Sequence, residues 1–360
     1  MKKNQPWYKR QIDPFPVSQT QIVALIKNFS VMLEAGIAVP EAIEVLVDQS
    51  TGKLKRVMKT VLVRLSSGER LSEAFSHTQR IFSPIFLSAV ETGEASGTLA
   101  QNLSSVALQL EQDLSLKRHI QGALLYPSIV VFATFILGLL LATFVLPELA
   151  SVFASLKTTL PGSTRMLLWL ANVFAQDGYW LTPFLFFCLF SLTVLWRQRF
   201  LASVTDAIIL HLPGLGLFFH NMARAHVCRG IGTLLKSGVP IQEALKIQAQ
   251  AMENYYYRQS LLLMVDQIAL GEGFGKVLAR YPTLYPILIQ RMVSVGEHSG
   301  ELDQLLFFLA RFYEEDISLR AKNLSSVIEP LLLLVIGLGV AFVALSIFTP
   351  IYSITSDLGL

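Results

Sequence analysis

Charge is scarce in this chain. Of 360 residues only 15% are Asp, Glu, Lys or Arg, while 52% are hydrophobic and the mean hydropathy is +0.51. An ordinary soluble domain is about one-quarter charged, so composition excludes that class for the chain as a whole. Cysteine is scarcer still, with Cys188 and Cys228 alone. One lies in an apolar run and no CxxC pair exists, which argues against a disulfide and against zinc. His77, His119, His211, His220, His226 and His298 show no ligand spacing, and no HExxH or nucleophile motif is present. Nothing argues for an enzyme, a metal or a cofactor. The net charge of +3, with no basic run carrying interleaved aromatics, excludes nucleic acid. No apolar stretch follows Met1-Lys2-Lys3, so no cleavable signal peptide is expected there. Gly271-Glu272-Gly273-Phe274-Gly275-Lys276-Val277 imitates a phosphate loop. Its spacing is one residue short, however, and Val277 lacks the metal-binding hydroxyl.

The hydrophobic excess is concentrated in three runs, Ser128 to Leu146, Trp180 to Trp196 and Leu331 to Thr349, none containing Asp, Glu, Lys, Arg or His. Each has the roughly 20 residues that a helix needs to cross about 30 Å of hydrocarbon. Lys117 and Arg118 precede the first run, Arg197 and Arg199 follow the second, and Arg320 and Lys322 precede the third. All the basic residues except Lys157 and Arg165 therefore fall on one side, which the positive-inside rule makes the cytoplasm. The expected layout is an N-terminal arm (1–16), a cytoplasmic helical bundle (17–122) and a first transmembrane helix (124–147). An outer hairpin (148–178), a second transmembrane helix (179–197) and a second cytoplasmic bundle (218–325) follow. A third transmembrane helix (328–350) and an outer tail (351–360) complete it. The N-terminus is inside and the C-terminus outside.

The chain also repeats itself. Gly93-Glu94-Ala95-Ser96-Gly97 returns as Gly296-Glu297-His298-Ser299-Gly300, 203 residues on. The same shift carries Glu111, Asp113, Pro127 and Pro147 onto Glu314, Asp316, Pro330 and Pro350. Upstream the shift is 202, carrying Leu33, Gly36 and Glu41 onto Leu235, Gly238 and Glu243. The spacing of apolar residues predicts six helices per copy. In the first copy Ser18 caps helix one and Gly36 stops it. Pro40 opens helix two, helix three covers Leu54 to Leu65, and Leu71, Ala74 and Phe75 mark helix four. Ser83-Pro84 opens a fifth that stops at Gly93, and a sixth begins near Thr98. The fold expected is an all-α integral membrane protein, with two duplicated six-helix cytoplasmic bundles and three transmembrane helices.

Two sets of residues are candidates for function. The paired loops, Gly93, Glu94, Ser96, Gly97 and Gly296, Glu297, Ser299, Gly300, read either as capped turns or as docking loops for a partner. Thr134, Gly138 and Ala142, with Gly337 and Ala341, are small residues at four-residue spacing that let helices approach closely. The carboxylates on helix six stand two apart and so do not share a helix face. A solvated face or a shared contact surface fits them better than a metal or catalytic pair. Pro127 and Pro330 stand where a cytoplasmic helix meets the bilayer and would kink it. Ion-coupled transporters carry Asp, Glu, Lys, Arg or His at membrane depth, and these runs have none. That counts against a transporter subunit. A membrane-tethered regulator would add a catalytic or sensor domain, and the repeat accounts for every long segment.

Ala123-Leu124-Leu125-Tyr126-Pro127, followed by Val145-Leu146-Pro147, carries a family resemblance, with Tyr126, Pro127 and Pro147 its most specific residues. The paired Gly-Glu-x-Ser-Gly loops and Leu235 to Pro240 add to it. The chain resembles the inner-membrane platform proteins of type II secretion and type IV pilus systems, the family called general secretion pathway protein F or pilus assembly protein C. His119 departs from the family's usual Lys, Arg or Gln, and the N-terminal arm is short. The resemblance implies a non-enzymatic scaffold in a bacterial inner membrane, with its outer hairpin and tail periplasmic. It implies as partners a cytoplasmic hexameric assembly ATPase, pilin or pseudopilins, other inner-membrane assembly components and the lipid bilayer, and it implies a homo-oligomer.

Overall fold

The computed structural model describes residues 17–78, 81–140, 206–207, 210 and 215–357. Among them there are helices and turns and no strand. The first six helices are α1 (Gln19–Glu34), α2 (Val39–Gln49), α3 (Gly52–Ser66), α4 (Leu71–Ser76), α5 (Pro84–Ser96) and α6 (Leu99–Leu140). The next six are α7 (Leu215–Lys236), α8 (Ile241–Ala251), α9 (Tyr255–Ala269), α10 (Phe274–Leu278), α11 (Ile287–Ser299) and α12 (Leu302–Asp357). Order and length run in parallel: α2 and α8 have 11 residues each, α3 and α9 have 15, and α5 and α11 have 13.

The sequence explains the ends of these helices. Ser18 precedes α1, and the Gln21 side chain reaches back to accept its backbone N–H at 3.3 Å. Ser83 accepts from the Phe86 N–H at the start of α5, and Pro84 occupies the first turn, where a missing N–H costs nothing. α1 closes with paired bonds, Gly36 N–H to Leu33 O and Ile37 N–H to Met32 O, both at 3.0 Å. α7 ends the same way, with Gly238 donating to Leu235 and Val239 to Leu234, at 2.9 and 3.0 Å.

The chain divides into two compact units, one within residues 1–118 and 206–317, the other within 119–205 and 318–360. In the first, α1–α5 enclose Phe29, Ile43, Met58, Phe75, Phe82 and Phe86, all 2% exposed or less. Phe75 meets Phe82 and Phe86 edge-on at 5.2 and 5.1 Å. The same hydrophobic core takes in Leu234, Val239, Ala244 and Ile247 from α7, the turn after it and α8. The two helical sets therefore share a seam inside this unit, with α5 packed on α7 and α8.

The second unit holds the apolar ends of α6 and α12. Phe132, Leu137, Leu333 and Leu338 are each more than half exposed, a surface that water does not tolerate over such an area. Among the described residues α6 alone is long and apolar enough to cross a membrane, while α12 carries the shorter apolar stretch Pro330–Ala341. The expected second transmembrane helix (179–197) lies outside the described residues.

One expectation needs correction. α5 does not stop at Gly93, nor α11 at Gly296. Both run three residues further, and the left-handed residue that ends them is Gly97 (φ 75°) or Gly300 (φ 78°). The Gly-Glu-x-Ser-Gly segment is thus mostly the last helical turn rather than a loop. The prolines expected to kink helices lie within continuous ones. α6 continues through Pro127, and α12 continues through Pro330 and Pro350 to Asp357.

Truncating a fully enclosed ring in this core should cost far more than trimming the surface. Phe86→Ala is expected to destabilise by about 3–5 kcal/mol. Val63→Ala, at a site 65% exposed, should stay within about 0.5 kcal/mol. Thermal unfolding of the full chain in detergent micelles, followed by helical circular dichroism, measures both.

Candidate functional site

The paired motifs act first on their own neighbours. α4 and α10 are short, 6 and 5 residues, and their first amides have no partner within the helix. Glu94 supplies one. Its carboxylate accepts the Leu71 N–H at 2.8 Å, the Ser72 N–H at 3.0 Å and the Ser72 hydroxyl at 2.5 Å. Glu297 repeats the arrangement, accepting from Phe274 N–H at 2.8 Å and Gly275 N–H at 3.3 Å. A negative group at a helix N-terminus is favourable through both the amides and the dipole. Burial pushes the Glu94 carboxyl up, but the Ser72 hydroxyl, the two amides and the charge of Arg70 together hold it below the usual value.

The glycines of the motif have two separate tasks. A Cβ at Gly93 would stand 2.7 Å from Leu99 Cα, and one at Gly296 would stand 2.9 Å from Leu302 Cα. Each lets helix six begin directly against helix five. Gly97 and Gly300 take the left-handed conformation that turns the chain between them. Ser96 donates back to Thr92 O at 2.7 Å, and Ser299 to Gly296 O at 3.4 Å. Ala95, Ser96, Gly97 and their counterparts His298, Ser299 and Gly300 remain exposed.

The carboxylates of helix six also acquire partners. Lys27 on α1 donates to Glu111 on α6 at 2.6 Å. Arg229 on α7 holds Glu314 on α12 in a forked pair, Nε to Oε1 at 2.6 Å and Nη2 to Oε2 at 2.5 Å. The shift of 202 carries Lys27 onto Arg229, and that of 203 carries Glu111 onto Glu314, so one ion pair occurs twice. The surroundings differ. The Lys27 and Glu111 side chains are 53% and 38% exposed, those of Arg229 and Glu314 only 5% and 19%.

Arg229 also crosses the seam, donating through Nη1 to the Gln112 side chain of α6. Asn102 of α6 crosses it too, donating to Ser237 O at 3.4 Å. Asp113 lies within electrostatic reach of His226, Arg229 and Glu314. Burial raises its carboxyl above the usual range and Glu314 adds to this, against the pull of His226 and Arg229. Behind this cluster Arg224 donates to Leu284 O at 2.7 Å and Thr283 O at 3.0 Å. The Tyr257 hydroxyl also donates to Leu284 O, at 3.1 Å. Burial pushes the Cys228 thiol up to about 12, so it is an inert core group. Arg229, Gln112, Asn102 and Lys27 are not among the residues the sequence singled out. A signal for Lys27 and Arg229 existed, a cation repeated at the same shift as its carboxylate.

Among the described residues the small-residue candidates are not brought together. A Cβ at Gly138 or Gly337 would meet nothing within 4 Å. Ala341 is exposed, and the Thr134 hydroxyl bonds its own helix at Val130 O, 2.8 Å away. Tyr126 is 57% exposed on α6. Ala142 and Pro147 lie outside the described residues. Among the described residues no three His, Cys, Asp or Glu side chains gather as a metal ion would require.

Known proteins share this organisation. The family model for type II secretion system protein F matches residues 25–147 and again 227–350, one match on each helical set and the apolar segment after it. The chain belongs to the type II secretion system protein F family. Among its relatives is the type IV pilus assembly protein PilC of Thermus thermophilus, 30% identical over 92% of this chain and 82% of that protein. The type II secretion system protein F of Xanthomonas campestris is 28% identical over 96% of this chain and 85% of the relative. The type IV pilus assembly protein TapC of Aeromonas hydrophila is 26% identical over 95% and 83%.

The two ion pairs should respond very differently to truncation. Arg229→Ala strands a buried carboxylate and is expected to cost about 3–5 kcal/mol, whereas Lys27→Ala should cost at most about 1 kcal/mol. Melting temperatures of the two variants decide it. Asp113 gives a pH test. A carboxyl whose folded-state value is raised loses stability as pH rises through that value. Asp113→Asn should therefore melt above the parent at neutral pH, with the gap closing as the pH is lowered towards the ordinary Asp value of 3.8. A gap that stays constant across the titration would show that burial of the charge is not its cause.

Proposed function

We propose that this chain is the inner-membrane platform protein of a type II secretion or type IV pilus-like machine. It would couple a cytoplasmic hexameric assembly ATPase to pilin or pseudopilin filament assembly and protein secretion. The observation that carries this is the family match on both halves of the chain, together with relatives named for both kinds of system. In this reading residues 17–122 and 218–325 are duplicated cytoplasmic bundles. The chain crosses the bilayer three times, with the N-terminus cytoplasmic and the C-terminus periplasmic. Partners are the ATPase, the pilins, other inner-membrane assembly components and lipid.

The architecture supports a coupling role. α6 and α12 each run unbroken from the last helix of a bundle into an apolar segment, over 42 and 56 residues. A load taken up by a bundle has a continuous hydrogen-bonded path along each of these helices. The segments containing Glu94 and Glu297 are proposed as docking points, with the contact made by their exposed ends because both carboxylates are engaged in capping. Thr134, Gly138, Ala142, Gly337 and Ala341 are proposed to pack the first and third membrane helices together, or against a neighbouring subunit.

Deleting the gene in its host should abolish surface filaments or secretion, while processed pilin accumulates in the inner membrane and a plasmid copy restores assembly. Unchanged filaments and secretion, with no second copy of the gene, would overturn the role. The docking step separates from folding by choice of residue. Glu94→Ala removes a cap and should lower stability by about 1–2 kcal/mol. Ala95→Arg alters only the exposed end, and is expected to reduce ATPase co-purification without shifting the melting temperature. Full recruitment by the Ala95→Arg chain would remove this segment as the docking point.

A further inference from the structure

The seam between the helical sets is one-sided. α5 of the first set lies on α7 and α8 of the second. On α5 Ile85 and Ala89 are 4% and 0% exposed, and the Asn102 amide that donates to Ala89 O also donates to Ser237 O just after α7, both at 3.4 Å. On the receiving side Leu234, Val239 and Ile247 are 0%, 4% and 8% exposed and join the core of the first set. Because the contact joins helix five of one copy to helices one and two of the other, each surface occurs a second time in the chain.

Those second surfaces are apolar and in part open, although Ile37 also packs on the core of its own set. The counterparts of Ile85, Ala89 and Thr92 on α11 are Leu288, Met292 and Val295, and Leu288 and Val295 are 37% and 59% exposed. The counterparts of Val239 and Ile247 are Ile37, half-buried, and Val45, 36% exposed. Charge distinguishes the open surfaces from the closed seam. Beside the α11 face stands exposed Arg291, where α5 has Ser88. On α2 stand exposed Glu41 and Glu44; at the closed seam the counterpart of Glu41 is again acidic, Glu243, and the difference lies at Glu44, whose counterpart is Lys246. The two open faces are thus complementary in shape class and opposite in charge.

We propose that a second copy of this chain docks here, with Leu288, Met292 and Val295 of one chain seated against Ile37 and Val45 of the next. Arg291 faces Glu41 and Glu44 across the contact. The contact is head-to-tail, repeating between chains the packing that α5 makes within one, so each chain presents both a donor and an acceptor face. Rim charges of opposite sign set its register and exclude the isologous pairing, which would oppose like charges. This inference needs only the helix geometry and does not depend on the platform role.

The test uses the full chain in membranes, in a Cys188→Ala, Cys228→Ala background. Two differently tagged copies are co-expressed, one with Val45→Cys and the other with Leu288→Cys, and treated with a short bis-maleimide. A product joining the two tags is expected. It should be largely lost when Arg291→Glu is added to the Leu288→Cys chain, and recovered when Glu41→Arg and Glu44→Arg are added to the other. An Ile85→Cys, Ile247→Cys pair within one chain serves as the reference for the closed seam. Preferential linking of Val45→Cys to itself or of Leu288→Cys to itself would overturn the proposal in favour of an isologous contact. Absence of the mixed product, with or without the reference cross-link, would also overturn it, and so would failure of the charge reversal to restore a lost product.

Discussion

A guanidinium withdrawn from water must find acceptors for its donors, and Arg229 finds them in two places along the chain. Glu314 takes two of its N–H groups and Gln112, from the other helical set, takes a third. A buried charge of this kind costs several kcal/mol to desolvate, a cost offset only when the geometry is complete. The position of α7 is therefore tied at once to its own helix six and to that of the first set. Asp113, raised by burial and by the nearby Glu314, is the strain that accompanies this concentration of charge. The Arg229 and Glu314 side chains are largely withdrawn from water, which makes the pairing consequential.

Duplicated sequence here does not mean duplicated surroundings. The same ion pair is exposed in the first set and enclosed in the second. Local devices, by contrast, repeat faithfully. Glu94 and Glu297 cap equivalent short helices, and Gly93 and Gly296 admit equivalent backbones. The difference follows from range. A cap or a close approach is satisfied by residues within about 25 positions of each other, and both copies contain them. Burial of a pair depends on what the rest of the chain places over it, and there is only one seam for two copies.

Much of the helical order was legible beforehand. Ser18, Ser83 and Gly36 behave as caps and stops because their effect is confined to one turn of backbone. Gly93 misled because glycine serves two purposes. A helix end was the expectation, but the residue lies inside α5, and its missing Cβ serves a neighbour instead. Pro127 was expected to kink a helix rather than to end it. A proline removes one donor and disfavours a helix, yet α6 passes through it. The docking reading of Glu94 could not have foreseen the Leu71 and Ser72 amides, since nothing in the spacing of a carboxylate 22 residues away says that it turns back to them.

The class of this protein follows from composition and period alone. Its charge-free runs, its asymmetry of Lys and Arg and its internal shift of 203 residues lead to a helical, membrane-associated, repeated chain, because these are matters of composition and period. Tertiary structure decided which copy buries its ion pair, which face of α5 is covered and which matching face of α11 stays open. Those outcomes depend on contacts between segments more than 100 residues apart, Gln112 and Arg229 among them. Hydrophobic pattern fixes which side of a helix seeks burial, but only the folded chain settles which of two equivalent sides finds it.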